Sequence, residues 1–220
     1  MLKITTIKSL ALAGMIGLGL FAQVKNTHAS EIETLTVAGG CFWCVESDFE
    51  RVNGVKEVVS GYTGGTVSNP TYKQVTGGGT GHYEAVQIAF DPSVISRDMI
   101  LSMFFRSVDP TDAGGQFCDR GDSYRTAIFT TTTAQANAAA KAKAEAQAEL
   151  GTTVVTPILN ASTFYPAEAY HQDYYKGDKL VLTRFGPKRQ SSAYKAYRDA
   201  CGRDKRVKEL WGSDAPFVGG

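Results

Sequence analysis

A short alternating stretch, Leu35-Thr36-Val37, runs into a glycine pair and then into Cys41-Phe42-Trp43-Cys44-Val45-Glu46. This junction constrains the fold more than any other part of the 220-residue chain. Apolar residues that alternate with polar ones predict a strand. Gly39 and Gly40 permit a sharp turn. From Cys41 to Val52 the period becomes helical, with Cys41, Val45 and Phe49 on one face. Cys41 is thereby predicted at the first turn of a helix, where unpaired backbone N–H groups and the helix dipole favour an anion. That environment lowers a thiol's pKa and makes it a nucleophile. Phe42 and Trp43 are expected to give the sulfur an apolar wall.

Residues 1–29 read as a cleaved signal peptide, with an uncleaved membrane anchor as the alternative. Lys3 and Lys8 form a basic start, Leu10 to Ala22 is uncharged and apolar, and Thr27-His28-Ala29 supplies small residues at −3 and −1. The apolar run of 13 residues is shorter than the ~20 that a spanning helix needs. Residues 30–220 are expected to form a single catalytic domain, exported to an oxidising compartment such as a bacterial periplasm, free of the membrane after cleavage, and monomeric. Loss of Lys3, Lys8 and Lys25 takes the formal charge from +1 to −2, so no basic field attracts nucleic acid. Four cysteines in an exported chain normally mean two structural disulfides. The Cys41-Phe42-Trp43-Cys44 spacing, one helical turn, favours redox chemistry instead.

Val55 to Gly61 reads as a second strand. Gly61 to Gly81, with seven glycines in 21 residues, is a long loop, and loops of that length in compact domains are functional when they are not disordered. Tyr83 to Phe90 alternates as a third strand. Ser96 caps a helix whose apolar face is expected to carry Met99, Ile100, Met103 and Phe104. After a polar loop from Thr111 to Ser123, Tyr124 to Thr130 is a fourth strand. Ala134 to Leu150 is a solvated alanine-rich helix stopped by Gly151, with Lys141 and Glu145 paired on its surface. Val154 to Leu159 is a fifth strand. The order predicts an α+β fold, a ferredoxin-like (split βαβ) two-layer sandwich with a mixed sheet. Beyond Asn160 an irregular C-terminal extension is expected, regular only from Ser192 to Leu210.

Several side chains outside the junction are candidates for chemistry. Glu84 shares a strand face with Val86, Ile88 and Phe90, so its carboxyl either points at the core with a raised pKa, as a proton donor, or turns to water at the strand's end. Asp119 beside Arg120 reads either as a loop salt link or as a site carboxylate. Tyr72 and Tyr124 end up in or beside the two long loops and serve either in packing or as hydroxyl donors. His82 and His171 read as structural. Cys118 and Cys201 complete the thiols, and a zinc site from Cys41, Cys44, Cys118 and a histidine is the metal alternative, although no second close pair supports it.

Taken together, Gly40-Cys41-Phe42-Trp43, Gly61-Tyr62-Thr63-Gly64-Gly65, Asn69-Pro70-Thr71-Tyr72, Gly79-Thr80-Gly81-His82-Tyr83-Glu84-Ala85-Val86 and Asp91-Pro92 resemble peptide methionine sulfoxide reductase of the A type. Phe164-Tyr165-Pro166-Ala167-Glu168 and His171-Gln172-Asp173-Tyr174-Tyr175 continue the likeness, which covers Leu35 to Tyr175 in order. The resemblance implies that Cys41 attacks the sulfur of methionine-S-sulfoxide, free or in oxidised proteins, leaving methionine and a sulfenic acid. It implies that Glu84 gives the oxygen a proton, that Tyr72 and Tyr124 hydrogen-bond that oxygen with support from Asp119, and that Phe42 and Trp43 hold the substrate methyl. No metal and no other cofactor is implied; an intramolecular disulfide then forms and an external thioredoxin-like donor reduces it. This chain departs from the family at Cys44, where glycine is more usual, at Cys118, where asparagine is common, and in its tail. The resolving thiol is therefore open among Cys201, Cys118 and Cys44, the last able to reach Cys41 because residues i and i+3 of a helix have Cα atoms ~5–6 Å apart, within disulfide range. An exported thioredoxin-like disulfide oxidoreductase using Cys41 and Cys44 is the rival enzyme, and a disulfide-stapled or zinc-stabilised binding module the rival without catalysis.

Overall fold

The computed structural model describes residues 31–219, so the expected signal peptide lies outside the described residues. The chain runs β1 (Glu33–Gly39), α1 (Phe42–Phe49), β2 (Val55–Thr63), α2 (Tyr72–Thr76), β3 (Tyr83–Phe90) and α3 (Arg97–Phe105). Then come β4 (Gly115–Gln116), β5 (Asp119–Arg120), β6 (Thr126–Thr130), α4 (Thr133–Leu150), β7 (Ile158–Asn160) and β8 (Tyr165–Pro166). The last elements are β9 (Leu180–Thr183), β10 (Gly186–Arg189), α5 (Gln190–Cys201) and α6 (Arg203–Trp211). The architecture is α+β around a six-stranded mixed sheet of order β7-β6-β1-β3-β2-β8. β1, β3, β2 and β6 pair antiparallel, β8 joins β2 antiparallel, and β7 lies parallel to β6.

The period-two alternation of the strands decides what each sheet face holds. Leu35 and Val37 of β1 and Val86, Ile88 and Phe90 of β3 share a core with Val45 and Phe49 of α1, Ile100 and Phe104 of α3, and Ala139, Ala142 and Ala146 of α4. Each large side chain buried there contributes ~1.5–3 kcal/mol. The opposite face carries Ala38, Ala85 and Ala127, with Tyr83 and Phe129 packed edge to face at 5.5 Å and Phe164 beside them. Small residues are needed where β8 crosses: a Cβ on Gly61 would lie 2.4 Å from the Phe164 ring.

Capping chemistry sets the helix starts. The Ser96 side chain accepts from Met99 N–H, and the Thr132 side chain from Gln135 N–H; α4 ends at Gly151, whose φ is +62°. Met99 is exposed and Met103 only half-buried, so the apolar face expected for α3 is shifted. The buried residues are Ile100, Leu101, Phe104 and Phe105, because α3 packs against both the sheet and α4. The glycine-rich loop also holds α2, whose Thr71 and Gln74 bond each other's backbone N–H groups in a capping box.

The C-terminal extension is not irregular. It carries the β9–β10 hairpin and two helices separated at Gly202, whose φ is +70°. α5 and α6 drive two buried guanidinium groups beneath α1. Arg198 Nη1 donates to Asp48 Oδ1 at 2.8 Å, and Arg203 donates to the carbonyls of Gly39 at 3.2 Å and Ser107 at 2.9 Å. The tail thus fixes the strand–helix junction from behind.

Candidate active site

Cys41 is the N-cap of α1 and is buried. The turn that brings it there requires glycine at position 40, where φ is +81° and a Cβ would meet Gln116 Cβ at 2.6 Å. The first free donor of the helix, Phe42 N–H, does not serve the sulfur. It donates to Glu84 Oε2 at 3.1 Å. Glu84 is 1% exposed, and its other oxygen, Oε1, has no partner. Burial pushes this carboxyl up to about 8, with nearby Asp119 and Cys44 adding to the rise and the Phe42 bond opposing it. Glu84 points at the core, as one of its two sequence readings held, and carries a proton at neutral pH.

The expectation of a lowered Cys41 pKa fails. Burial pushes this thiol well up, and Cys44, Glu84 and Asp119 reinforce the shift. The physical reason is burial, which the helix's leading N–H, taken by Glu84, does not offset. Cys44 moves the other way: a hydrogen bond from the Cys41 thiol lowers its pKa, helped by the charges of Arg203 and Arg198 against the cost of burial.

Cys41, Phe42, Trp43, Tyr72, Glu84, Asp119, Tyr124 and Tyr197 line one cavity of about 70 Å³. That is several times what one water requires. Every catalytic and substrate-binding residue expected from sequence therefore meets at one place. Tyr72 opens α2 and its N–H donates to Glu168 Oε1 at 2.9 Å. Tyr124 ends a 3₁₀ turn after β5. Burial keeps both hydroxyls protonated. Asp119 turns inward and accepts from the Tyr197 hydroxyl, and burial raises its pKa. Arg120 turns outward and bonds Asp112 through Nη2 at 2.9 Å, so no salt link with Asp119 forms.

Three residues were not foreseen as part of the site. Tyr174 stacks on Trp43 with ring centres 3.9 Å apart and planes at 7°, Tyr197 meets Trp43 edge-on, and His171 packs against Phe42, Trp43 and Tyr72. His171 is buried with neither ring nitrogen bonded, and burial lowers its pKa to about 4, so the ring is neutral. A signal for Tyr197 exists: Tyr194, Tyr197, Arg198 and Cys201 fall at i, i+3, i+4 and i+7, one face of α5. His82 is structural, accepting from Gly65 N–H at 3.1 Å and lying 2.7 Å from the Val67 carbonyl oxygen.

The four thiols fall into two pairs. Cys118 and Cys201 form a disulfide with Cα atoms 4.8 Å apart, beside Asp119; Cys41 and Cys44 are free and buried. Cys118 is thereby withdrawn from the zinc set considered above.

A small cavity where a thiol, a protonated carboxyl group and two tyrosine hydroxyls converge, walled by Phe42 and Trp43, defines an enzyme that works through cysteine on a compact polar group. The family profile described as peptide methionine sulfoxide reductase matches residues 33–214, and the chain belongs to that family. It is 51% identical over 193 residues to peptide methionine sulfoxide reductase MsrA 2 of Caulobacter vibrioides, covering 88% of this chain and 92% of that one. Among solved structures it resembles reduced Mxr1 of Saccharomyces cerevisiae, with a TM-score of 0.64 and 34% identity over 66% of this chain and 85% of that one. It also resembles methionine sulfoxide reductase A of Corynebacterium diphtheriae, with a TM-score of 0.63 and 31% identity over 66% of this chain and 74% of that one.

Proposed function

We propose that the protein reduces methionine-S-sulfoxide, free and in oxidised proteins, to methionine. The observation that carries the mechanism is the protonated Glu84, which lines one cavity with Cys41 and has an unpartnered oxygen. Cys41 sulfur attacks the sulfoxide sulfur while Glu84 passes its proton to the sulfoxide oxygen, and the Cys41 proton restores Glu84. The hydroxyl then passes from the methionine sulfur to the Cys41 sulfur as the S–S bond breaks, so methionine leaves and Cys41 becomes a sulfenic acid. A nucleophile protonated at rest suits this exchange, since the step needs no proton from solvent. Tyr72 and Tyr124 donate to the oxygen as its charge grows, Asp119 supports them, and Phe42 and Trp43 receive the methyl group.

An intramolecular disulfide then forms, and a thioredoxin-like protein reduces it. The exposed Cys118 beside the cavity supports such a partner. Residues 30–220 form one catalytic domain, acting as a monomer without a cofactor. The antiparallel order β6-β1-β3-β2 supports a ferredoxin-like plan for that domain. The residues of 1–29 support export to a periplasm, and among the described residues no helix is long and apolar enough to cross a membrane. The test is turnover of the separated sulfoxide epimers of dabsylated methionine with a dithiol as reductant. Methionine should form from the S epimer alone; no product from that epimer overturns the reading.

A further inference from the structure

On the reductase reading of the site, we infer that the β9–β10 hairpin is the docking face for protein substrates. An extended polypeptide, with apolar and acidic residues beside its methionine sulfoxide, lies across Leu180, Leu182 and Phe185 while the oxidised side chain enters the cavity.

A cavity of about 70 Å³ takes the end of one side chain, so the backbone and flanking residues of a protein substrate stay outside, on whatever borders the mouth. The hairpin borders it. In the chain it lies between Tyr174, which stacks on Trp43, and Tyr197, which lines the cavity, and α5 packs against both of its strands. Burial raises the Asp119 pKa and the charge of Arg184 opposes the rise, so the hairpin's tip stands within electrostatic reach of the cavity wall.

The outer face of the hairpin is made for contact. Cross-strand register sets Leu180 against Arg189 and Leu182 against Pro187, and all four are exposed, while Val181 and Thr183 on the other face are half-buried. Leu182, 86% exposed, and Leu180, 74% exposed, are the most exposed large apolar side chains among the described residues. Phe185 is exposed at the tip, with the Arg184 guanidinium 4.8 Å from its ring centre. Apolar side chains gathered on one face, rather than scattered singly, mark an interaction surface.

Spacing and charge select the occupant. Leu180 and Leu182 are two residues apart on a strand, ~6.6 Å, which is also the spacing of alternate side chains in an extended chain laid alongside. Lys179, Arg184, Lys188 and Arg189 stand against a single carboxylate, Asp178, in a chain whose residues 30–220 carry −2 overall. This rim attracts acidic segments and repels basic ones. An anionic lipid surface would suit the same charges, but the adjoining mouth, sized for one side chain, favours a polypeptide.

The experiment uses the full chain, dithiothreitol as reductant and three substrates. They are free methionine S-sulfoxide, a peptide with one methionine S-sulfoxide among leucine and glutamate, and a peptide of equal length with glycine and serine in their place. The unsubstituted protein should reduce the leucine–glutamate peptide with kcat/KM at least ~10-fold above the glycine–serine peptide, about the worth of burying one leucine. L180S/L182S should lose that preference through KM and keep its kcat/KM for free sulfoxide, which also reports that the variant is folded. Lys179→Glu should disfavour the glutamate peptide and favour the same peptide with lysine for glutamate, a reversal that damage to the fold cannot produce. A preference that survives in L180S/L182S overturns the docking face and leaves the reductase reading standing. Flotation with phosphatidylglycerol vesicles that L180S/L182S abolishes, without any peptide preference, overturns it in favour of a lipid surface. No methionine from free sulfoxide with any of these proteins overturns the reductase reading and the docking face with it.

Discussion

Glu84 keeps its proton because nothing in its surroundings compensates an anion fully: one oxygen takes a single N–H, the other takes none, and the residue is shut from water. Glutamine is nearly isosteric and preserves an acceptor for Phe42 N–H, but it cannot give up a proton. Glu84→Gln should therefore lower kcat/KM for the S-sulfoxide by ~10²–10⁴-fold, the usual range for a positioned general acid. The wild-type rate should fall as pH rises through about 8, where Glu84 ionises, and that alkaline limb should vanish from the variant's residual activity. Stopped measurements of methionine release across pH check both. An unchanged rate would remove Glu84 from the mechanism. The same residue marks the limit of sequence reading at Cys41. Strand parity offered the core side as one of two readings for the carboxyl, but parity does not reveal that it takes the helix's leading N–H or that burial, not the dipole, sets the thiol's pKa.

The elements that hold the site differ in how legible they were. β3, α3 and α4 are repeating patterns, the helices with ordinary caps, and they fall close to where period and cap residues put them, whereas α1 has no side-chain cap and ends at Phe49, short of the expected Val52. α2 is five residues long, too short for a period, and only its Thr71–Gln74 box betrays it. The tail was opaque for a physical reason. Arg198 and Arg203 stand in a basic stretch whose local sequence shows no distant partner, yet each is 2% exposed against Asp48 or backbone carbonyls. Burial of charge becomes intelligible only when the acceptors on Asp48, Gly39 and Ser107, 96 to 164 residues away, are in place. Among the described residues, Asp48 is the carboxylate common to both guanidinium groups, at 2.8 Å from Arg198 and 3.8 Å from Arg203. Asp48→Asn leaves two buried cations without it and should cost ~3–5 kcal/mol, as breaking a buried pair does. Urea denaturation at pH 7 measures the loss. A change below ~1 kcal/mol, the worth of a surface pair, would show that the tail does not depend on this contact.

At the scale of the whole molecule, Glu84 and Glu46 are two buried carboxyls, beside and within α1, whose pKa values burial lifts far from the ordinary range. Glu46 accepts from the Ser60 hydroxyl at 2.6 Å and Asp173 N–H at 2.7 Å, and burial lifts its pKa to about 7 in spite of both bonds. Unfolding exposes both groups, and each returns to about 4.5. Between that value and the folded one, the native chain holds a proton that the unfolded chain has released. The contribution of each group to stability is therefore complete below pH 4.5 and is lost as pH rises through about 7 for Glu46 and about 8 for Glu84. The slope is at most ~1.4 kcal/mol per pH unit for each group. Glu84→Gln removes the Glu84 titration, so the stability of the variant relative to wild type should climb steadily from pH 5 to pH 8, by a few kcal/mol in all, and then level off. Urea midpoints across that range, with equal m-values for the two proteins, make the comparison. A difference that stays flat with pH would mean that Glu84 is ionised in the folded protein, and the proton assigned to the sulfoxide oxygen would have to come from another group on the cavity wall.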